Sequence, residues 1–267
     1  MAKQRIDVLL VEKGFFSSRE KARAAVMAGQ ILANRERIDK AGTTVDEEAV
    51  IEIKGTTLPY VSRGGLKLEK AIQLFGLTLS GAVCADIGAS TGGFTDCMLQ
   101  NGAQKVYAID VGYGQLDWKL RNDPRVVVME RTNIRNVTTK AFSEPLDFIS
   151  VDVSFISLKL VLPVIVPFLA PDGKLVALIK PQFEAGREQV GKGVIRDPGI
   201  HQQVINQVIQ AFRSLKLSPE GLSYSPIRGP KGNIEFLLVA SCGLEPLHDI
   251  TTKQVAEVVR AAHEDKS

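Results

Sequence analysis

The segment Asp86-Ile-Gly-Ala-Ser-Thr-Gly-Gly-Phe-Thr95 constrains this chain more than any other, because it carries a short apolar run directly into a helix-like segment. In a doubly wound α/β sheet the ligand lies beyond the carboxyl ends of the strands, and the first strand-to-helix loop must let backbone approach it closely. Gly88, Gly92 and Gly93 serve that need. Strand-like runs recur around it, at Ala82 to Ile87, Lys105 to Asp110, Val126 to Met129, Phe148 to Val151, Leu175 to Ile179 and Ile234 to Val239, with helix-like segments between. That alternation predicts a parallel sheet with helices on both faces. Asp197-Pro198 is a cap and first-turn pair for a helix through Phe212, Leu217 to Tyr224 reads as a further strand, and a last helix follows Thr251 with Val255, Val258 and Val259 on one side.

A nucleotide-type ribose needs a carboxylate at the end of the second strand, and Asp110 follows Gly88 by 22 positions, near the expected ~20. The loop is Gly-x-x-x-Gly-Gly rather than the dinucleotide pattern Gly-x-Gly-x-x-Gly, and Ser90 stands where a missing side chain admits a pyrophosphate. A phosphate-free adenosine cofactor, S-adenosylmethionine, fits this loop better than a nicotinamide dinucleotide. Asp86 is then expected to orient its amino-acid portion and Asp110 its ribose. The full cofactor set expected is Asp86, Gly88, Ala89, Ser90, Thr91, Gly92, Gly93 and Phe94 in the loop, Asp110 and Val111 after the second strand, and Asn133 and Asp152 beyond later strands. A turn that serves packing alone would leave the spacing of Asp110 unexplained. Gly186-Arg-Glu-Gln-Val-Gly-Lys192-Gly matches most of a P-loop, but Gly193 replaces the hydroxyl that holds magnesium, which argues against nucleotide hydrolysis.

Ahead of this region lies a smaller pattern. Ile6, Leu9 and Leu10 recur at helical spacing before Gly14, and Ser17 with Glu20 has capping-box spacing for a second helix that buries Ala22, Ala25 and Val26 and stops near Gly29. Arg19 and Arg23, four apart, are neighbours on its outer face, with Lys21 nearby and Arg5 on the preceding helix. Through Lys40 there are nine basic and five acidic residues, a local excess that net charge, only +3 overall, conceals. Gln30 to Ala33 and Val50 to Ile53 read as short strands, and Gly55 to Tyr60 as a linker. Such a basic helical face is usually just solvated surface; it gains meaning only from the company it keeps.

The 267 residues, 45% hydrophobic and 24% charged, suit one large unit or one ordinary domain plus a small one, and two are expected, 1–60 and 61–267. Cys84, Cys97 and Cys242 are far apart and are expected as core thiols, with neither a disulfide framework nor a metal site. Met1 to Gly14 carries Asp7 and Glu12 and does not read as a secretory signal, so the cytoplasm is the expected location. Leu160 to Ala170, the most apolar stretch, contains Pro163 and Pro167 and is about half the ~20 residues a membrane span needs.

Four motifs together make a resemblance specific: Ser62-Arg-Gly-Gly-Leu-Lys67-Leu, Asp86 to Thr95, Val151-Asp-Val-Ser-Phe155 and Lys180-Pro-Gln-Phe-Glu184. With them the chain resembles the hemolysin A (TlyA) family, a branch of the FtsJ-like ribose 2′-O-methyltransferases, over nearly its whole length. The resemblance implies a Rossmann-like methyltransferase sheet preceded by a small α+β S4 RNA-binding domain, and ribosomal RNA cytidines or ribosomal subunits as targets. It places the family's catalytic Lys-Asp-Lys-Glu tetrad on Lys67, Asp152, Lys180 and Glu235, the last through the shorter motif Gly232-Asn-Ile-Glu235. It also places RNA contacts on Arg5, Ser18, Arg19, Arg23 and Arg63. Lys180 is the expected base: a free lysine, with a pKa of roughly 10.4, must lose its proton through burial or a neighbouring cation such as Lys67 before it can act. Purely electrostatic positioning of the hydroxyl is the alternative role. Two other functions stand beside this one, a noncatalytic RNA-binding ribosome-assembly factor and, from the family name, a membrane-lytic hemolysin.

Overall fold

The computed structural model describes residues 3–16, 18–27, 29–53, 58–191, 193–243 and 249–265, and the chain divides into two compact units, Met1–Pro59 and Tyr60–Ser267.

In the first unit, β1 (Lys3–Arg5) leads into α1 (Ile6–Glu12) and α2 (Arg19–Met27), followed by β2 (Ile31–Ala33), β3 (Glu36–Ile38), β4 (Thr44–Asp46) and β5 (Ile51–Ile53). β1 pairs with β4, and β2 lies between β3 and β5 in a second small antiparallel sheet. Ile6, Leu10, Ala22, Val26 and Ile31 form its core, with the helix pattern expected from their spacing. Gly14 and Gly29 adopt φ of +75° and +69°, the left-handed geometry that stops each helix. Three strands escape the sequence reading because β1, β3 and β4 have three residues each and no buried alternation. The expected cap Ser17 lies outside the described residues; Ser18 Oγ instead accepts the Lys21 N–H at 3.3 Å.

The second unit is a three-layer α/β sandwich. Its elements are α3 (Gly64–Phe75), β6 (Val83–Ile87), α4 (Gly93–Gln100), β7 (Lys105–Ile109), α5 (Trp118–Arg121), β8 (Val126–Met129), β9 (Leu146–Val151), α6 (Leu158–Ile165), β10 (Leu169–Ile179), α7 (Pro181–Glu184), α8 (Arg187–Val190), α9 (Pro198–Ser214), β11 (Leu217–Tyr224), β12 (Phe236–Cys242) and α10 (Thr252–Glu264). The sheet order is β11-β12-β10-β9-β6-β7-β8. Side chains alternate between two cores as strand geometry requires: Val83, Ala85 and Ile87 join the core under α6, α9 and α10, whereas Cys84 joins the one under α3 and α4. On α9, Val204, Ile205, Val208, Ile209 and Phe212 are all buried, and each such side chain contributes about 1.5–3 kcal/mol. Asp197 caps α9 by accepting the Gly199 N–H, and Thr251 caps α10. Cys84 and Cys97 are core thiols, and Cys242 is only partly buried.

One expectation is corrected. The sheet is mixed, because β12 runs antiparallel to both neighbours, with Ile179 opposite Phe236 and Leu217 opposite Cys242. A parallel neighbour needs a long crossover, usually a helix, whereas residues 225–235 return from β11 with only one short helical turn at Pro230–Gly232. This reversal matters for the site. It brings the start of β12 to the edge where β9 and β10 end, so Glu235 lies beside Asp152 and Lys180 rather than across the sheet.

Candidate active site

The loop after β6 is built by hydrogen bonds from its own strand neighbours. Gly88 N–H and Ala89 N–H both donate to Ile109 O, and Asp152 N–H donates to Ile87 O at 2.9 Å, which draws the ends of β6, β7 and β9 together. Gly88, at φ +87°, leaves no room for a Cβ against the Asp152 carbonyl, so this crossing demands glycine. Asp86 is almost wholly buried, at 1% exposure. Its Oδ2 accepts Thr95 N–H at 2.9 Å and Thr95 Oγ1 at 2.7 Å, and Ser150 Oγ lies 3.2 Å from its Oδ1. Burial outweighs these bonds and raises its pKa to about 7. The geometry makes Asp86 a brace between strand and helix, and it does not line the neighbouring cavity.

That cavity, of about 450 Å³, opens over the ends of β6, β7 and β9. Of the residues expected to hold a cofactor, Gly88, Ser90, Asp110, Val111, Asn133 and Asp152 line it, while Ala89, Thr91, Gly92, Gly93 and Phe94 stand with Asp86 behind it. Asp110 accepts Ser90 N–H at 2.8 Å on one oxygen and Gly112 N–H at 2.7 Å on the other, which fixes the carboxylate and leaves lone pairs for further donors. Ile109, Ile134 and Val153 supply apolar wall, and among the described lining residues there is no lysine or arginine. A carboxylate beside apolar walls suits the ribose and flat base of an adenosine; a described lining with two carboxylates and no lysine or arginine suits a cofactor without phosphates. Gln115, Thr132 and Ile156 also line it and carry no motif that spacing could have flagged.

Beside it the four expected catalytic residues meet. Lys67, on α3, places Nζ 2.6 Å from Glu235 Oε2 and 3.8 Å from Asp152 Oδ2. Lys180, following β10, places Nζ 2.5 Å from Asp152 Oδ1 and donates to Ser154 Oγ at 2.9 Å. The order is Glu235, Lys67, Asp152, Lys180, with charges alternating; Glu235 is 1% exposed, and both lysines are 8% exposed. Burying one charge alone is costly, and alternation offsets that cost for all four. Lys180 and Glu235 also line a second cavity of about 310 Å³ with Ser154, Phe155, Gln182 and Phe183. Phe155, 91% exposed and at φ +63°, stands 5.0 Å from the Phe183 ring, centroid to centroid. Phe155 ends the motif Val151 to Phe155 and Phe183 lies within Lys180 to Glu184, both read as family signatures, but neither phenylalanine was expected to have a role of its own.

The profile of the FtsJ-like methyltransferase family matches residues 60–242, and that of the S4 domain matches residues 4–51. The chain belongs to the FtsJ-like methyltransferase family. In this chain the FtsJ-like unit follows an S4 domain. The chain is 51% identical over 265 residues to the candidate rRNA methyltransferase YqxC of Bacillus subtilis, covering 98% of this chain and 94% of that one. It is 43% identical over 236 residues to TlyA of Mycobacterium tuberculosis, a 16S/23S rRNA (cytidine-2′-O)-methyltransferase, covering 88% of each. Among solved structures, a candidate hemolysin of Streptococcus thermophilus superposes with a TM-score of 0.78 at 49% identity, over 99% of this chain and 97% of that one. Among the described residues of this FtsJ-like protein, no helix is long and apolar enough to cross a membrane.

In the S4 unit, the expected RNA contacts divide. Asp7 is fully buried and accepts from Arg5 Nε and Nη2 and from Arg19 Nη2, each at 3.0 Å. These guanidiniums hold its pKa down at about 2. Arg5 and Arg19 are therefore oriented by a buried carboxylate and stay about half exposed, at 51% and 56%. Arg23 is exposed on α2 with Arg19, whereas Arg5 ends β1 just before α1 rather than lying on the helix as expected; Arg63, also exposed, lies in the FtsJ-like unit just before α3. Lys192, from the P-loop-like stretch, lies outside the described residues.

Proposed function

We propose that this chain transfers a methyl group from S-adenosylmethionine to the ribose 2′-hydroxyl of cytidines in ribosomal RNA. The observation that carries the reading is the chain of alternating charges from Glu235 to Lys180, set where the cofactor-type cavity and the second cavity share Ser154 and Phe155. The names of the relatives, TlyA foremost, supply the RNA and the base.

In this reading Asp110 holds the cofactor ribose and Ile109 and Ile134 flank its base, and the bound cofactor supplies an electrophilic methyl group on sulfur. The protein's own task is to present one hydroxyl in line with it and to take up the proton, and positioning of this kind supplies much of the rate. Lys180 Nζ is ion-paired with Asp152, donates to Ser154 Oγ and lines the acceptor cavity, with donor capacity left for a further acceptor. There it orients the hydroxyl and would take up the proton that the oxygen gives up when the methyl group passes to it from sulfur. Lys67 keeps Asp152 and Glu235 apart and fixes the carboxylate that aims Lys180. Phe155 and Phe183 offer aromatic faces to the acceptor base, the type of surface on which an unstacked nucleotide rests.

Lys180→Ala is expected to abolish methyl transfer to ribosomal RNA while calorimetry shows unchanged S-adenosylmethionine binding. Near-normal transfer by a folded variant would remove Lys180 from the reaction. The noncatalytic alternative predicts RNA binding with no heat on cofactor titration of the wild type.

A further inference from the structure

The acceptor cavity contains a charged side chain that the tetrad does not use. Lys231 lines it from the turn Gly229 to Gly232 and sits at φ +59°, ψ +14°, a left-handed conformation uncommon for a long side chain. The turn is held from both sides: Gly229 N–H donates to Asn233 O at 2.9 Å, and Gly232 N–H donates to Gly229 O at 3.0 Å. Gly229 is also packed so closely on the Glu235 carboxylate that a Cβ there would collide with it. The backbone that presents Lys231 is thus anchored to the catalytic network itself. Its ammonium reaches over Gly193, where a Cβ would lie 3.6 Å from Nζ. Unlike Lys67 and Lys180, Lys231 has no ion-pair partner among the described residues. Strain kept at a site in this way points to a role in binding.

Charge balance indicates what it binds. In RNA the carbon next to the one bearing the 2′-hydroxyl carries a phosphodiester, so a hydroxyl that reaches Lys180 brings an anion with it. Asp152 and Glu235 would repel that anion, and Lys67 and Lys180 already neutralise those two carboxylates. We propose that Lys231 binds the phosphodiester of the acceptor nucleotide and so sets the depth at which its ribose enters the cavity. This rests on the reading of the site as one for an RNA ribose.

The left-handed backbone supplies a clean test, because glycine adopts it without strain. Lys231→Gly removes the ammonium while keeping the turn, and Lys231→Arg keeps the charge. Methylation kinetics on unmodified ribosomal RNA and binding of that RNA across a salt series are measured for the wild type and both variants. Lys253→Ala, in α10, controls for the loss of any one surface charge. Lys231→Gly should keep the thermal midpoint and cofactor affinity of the wild type, raise KM for RNA several-fold and lower the slope of log affinity against log salt by about 1. Lys231→Arg should restore KM and slope. Equal slopes for wild type and Lys231→Gly would overturn the proposal even with methylation intact. If the wild type methylates no RNA, the function reading fails, and the salt slopes still decide whether Lys231 meets a phosphate.

Discussion

Asp86→Asn tests whether the loop after β6 rests on a protonated carboxyl group. The native structure raises this pKa from 3.8 to about 7, so the folded protein holds a proton that the unfolded chain has released. Stability from this group is therefore fully present below pH 4 and declines as pH rises through 7. At about 1.4 kcal/mol per tenfold change in proton affinity, the whole decline is at most about 4 kcal/mol. Asparagine keeps the shape: its oxygen can accept from Thr95, its NH₂ can donate to Ser150 Oγ, and it cannot ionise. Urea unfolding followed by circular dichroism, at intervals from pH 4.5 to 8, should show the wild type losing stability relative to Asp86→Asn as pH rises. The variant should match the wild type near pH 4.5 and exceed it by a few kcal/mol at pH 8. A difference that stays constant across this range would refute the reasoning, since it would mean that Asp86 has the same proton affinity folded and unfolded.

Removing the Asp110 carboxylate, as Asp110→Ala, should weaken S-adenosylmethionine binding by roughly 10- to 100-fold in calorimetry, the loss of one or two charged hydrogen bonds of about 1.5–3 kcal/mol each; an unchanged Kd would move the ribose elsewhere. Asp7 has its pKa lowered, so its support for the S4 unit is present above pH 3.8 and lost as pH falls toward 2. Asp7→Asn should lower the stability of that unit at pH 7 and flatten this acid limb, read by hydrogen exchange of α1 and α2. His201, fully buried, lies 3.0 Å from His263 on α10, and burial first and His263 second depress its pKa to about 4. The stability it contributes is present above 6.5 and lost as pH falls from 6.5 toward 4, so exchange in α10 should accelerate across that window and His201→Phe should suppress the change.

Much of the site was legible because its parts are local. The loop Asp86 to Thr95, the spacing to Asp110 and the motifs around Lys67, Asp152 and Lys180 are contiguous signals, and the geometry brings those residues to one edge of the sheet. The reading was weaker where one residue has two possible tasks. Asp86 looked like a cofactor ligand because it ends a strand, yet its oxygens are taken by Thr95 and Ser150. Arg5 and Arg19 were read as RNA contacts, and their spacing gave no sign that both are also held by Asp7, twelve positions from the second of them. Local pattern shows which groups are present and cannot show which partner reaches them first.

The glycine loop and the acidic residue beyond it by themselves pointed to an α/β sheet with a loop and carboxylate at its carboxyl edge of the kind an adenosine cofactor requires, because close backbone approach and ribose binding each demand particular residue types at set separations. Tertiary structure decided where the reaction can occur. Nothing in Ile234 to Val239 marks it as running against its neighbours; only the short return from β11 and the pairing of Phe236 with Ile179 reverse it. That reversal sets Glu235 against Lys67, a partner 168 positions away, and turns separate charges into one buried network. Strand direction depends on how the whole chain closes its sheet, which no local stretch encodes.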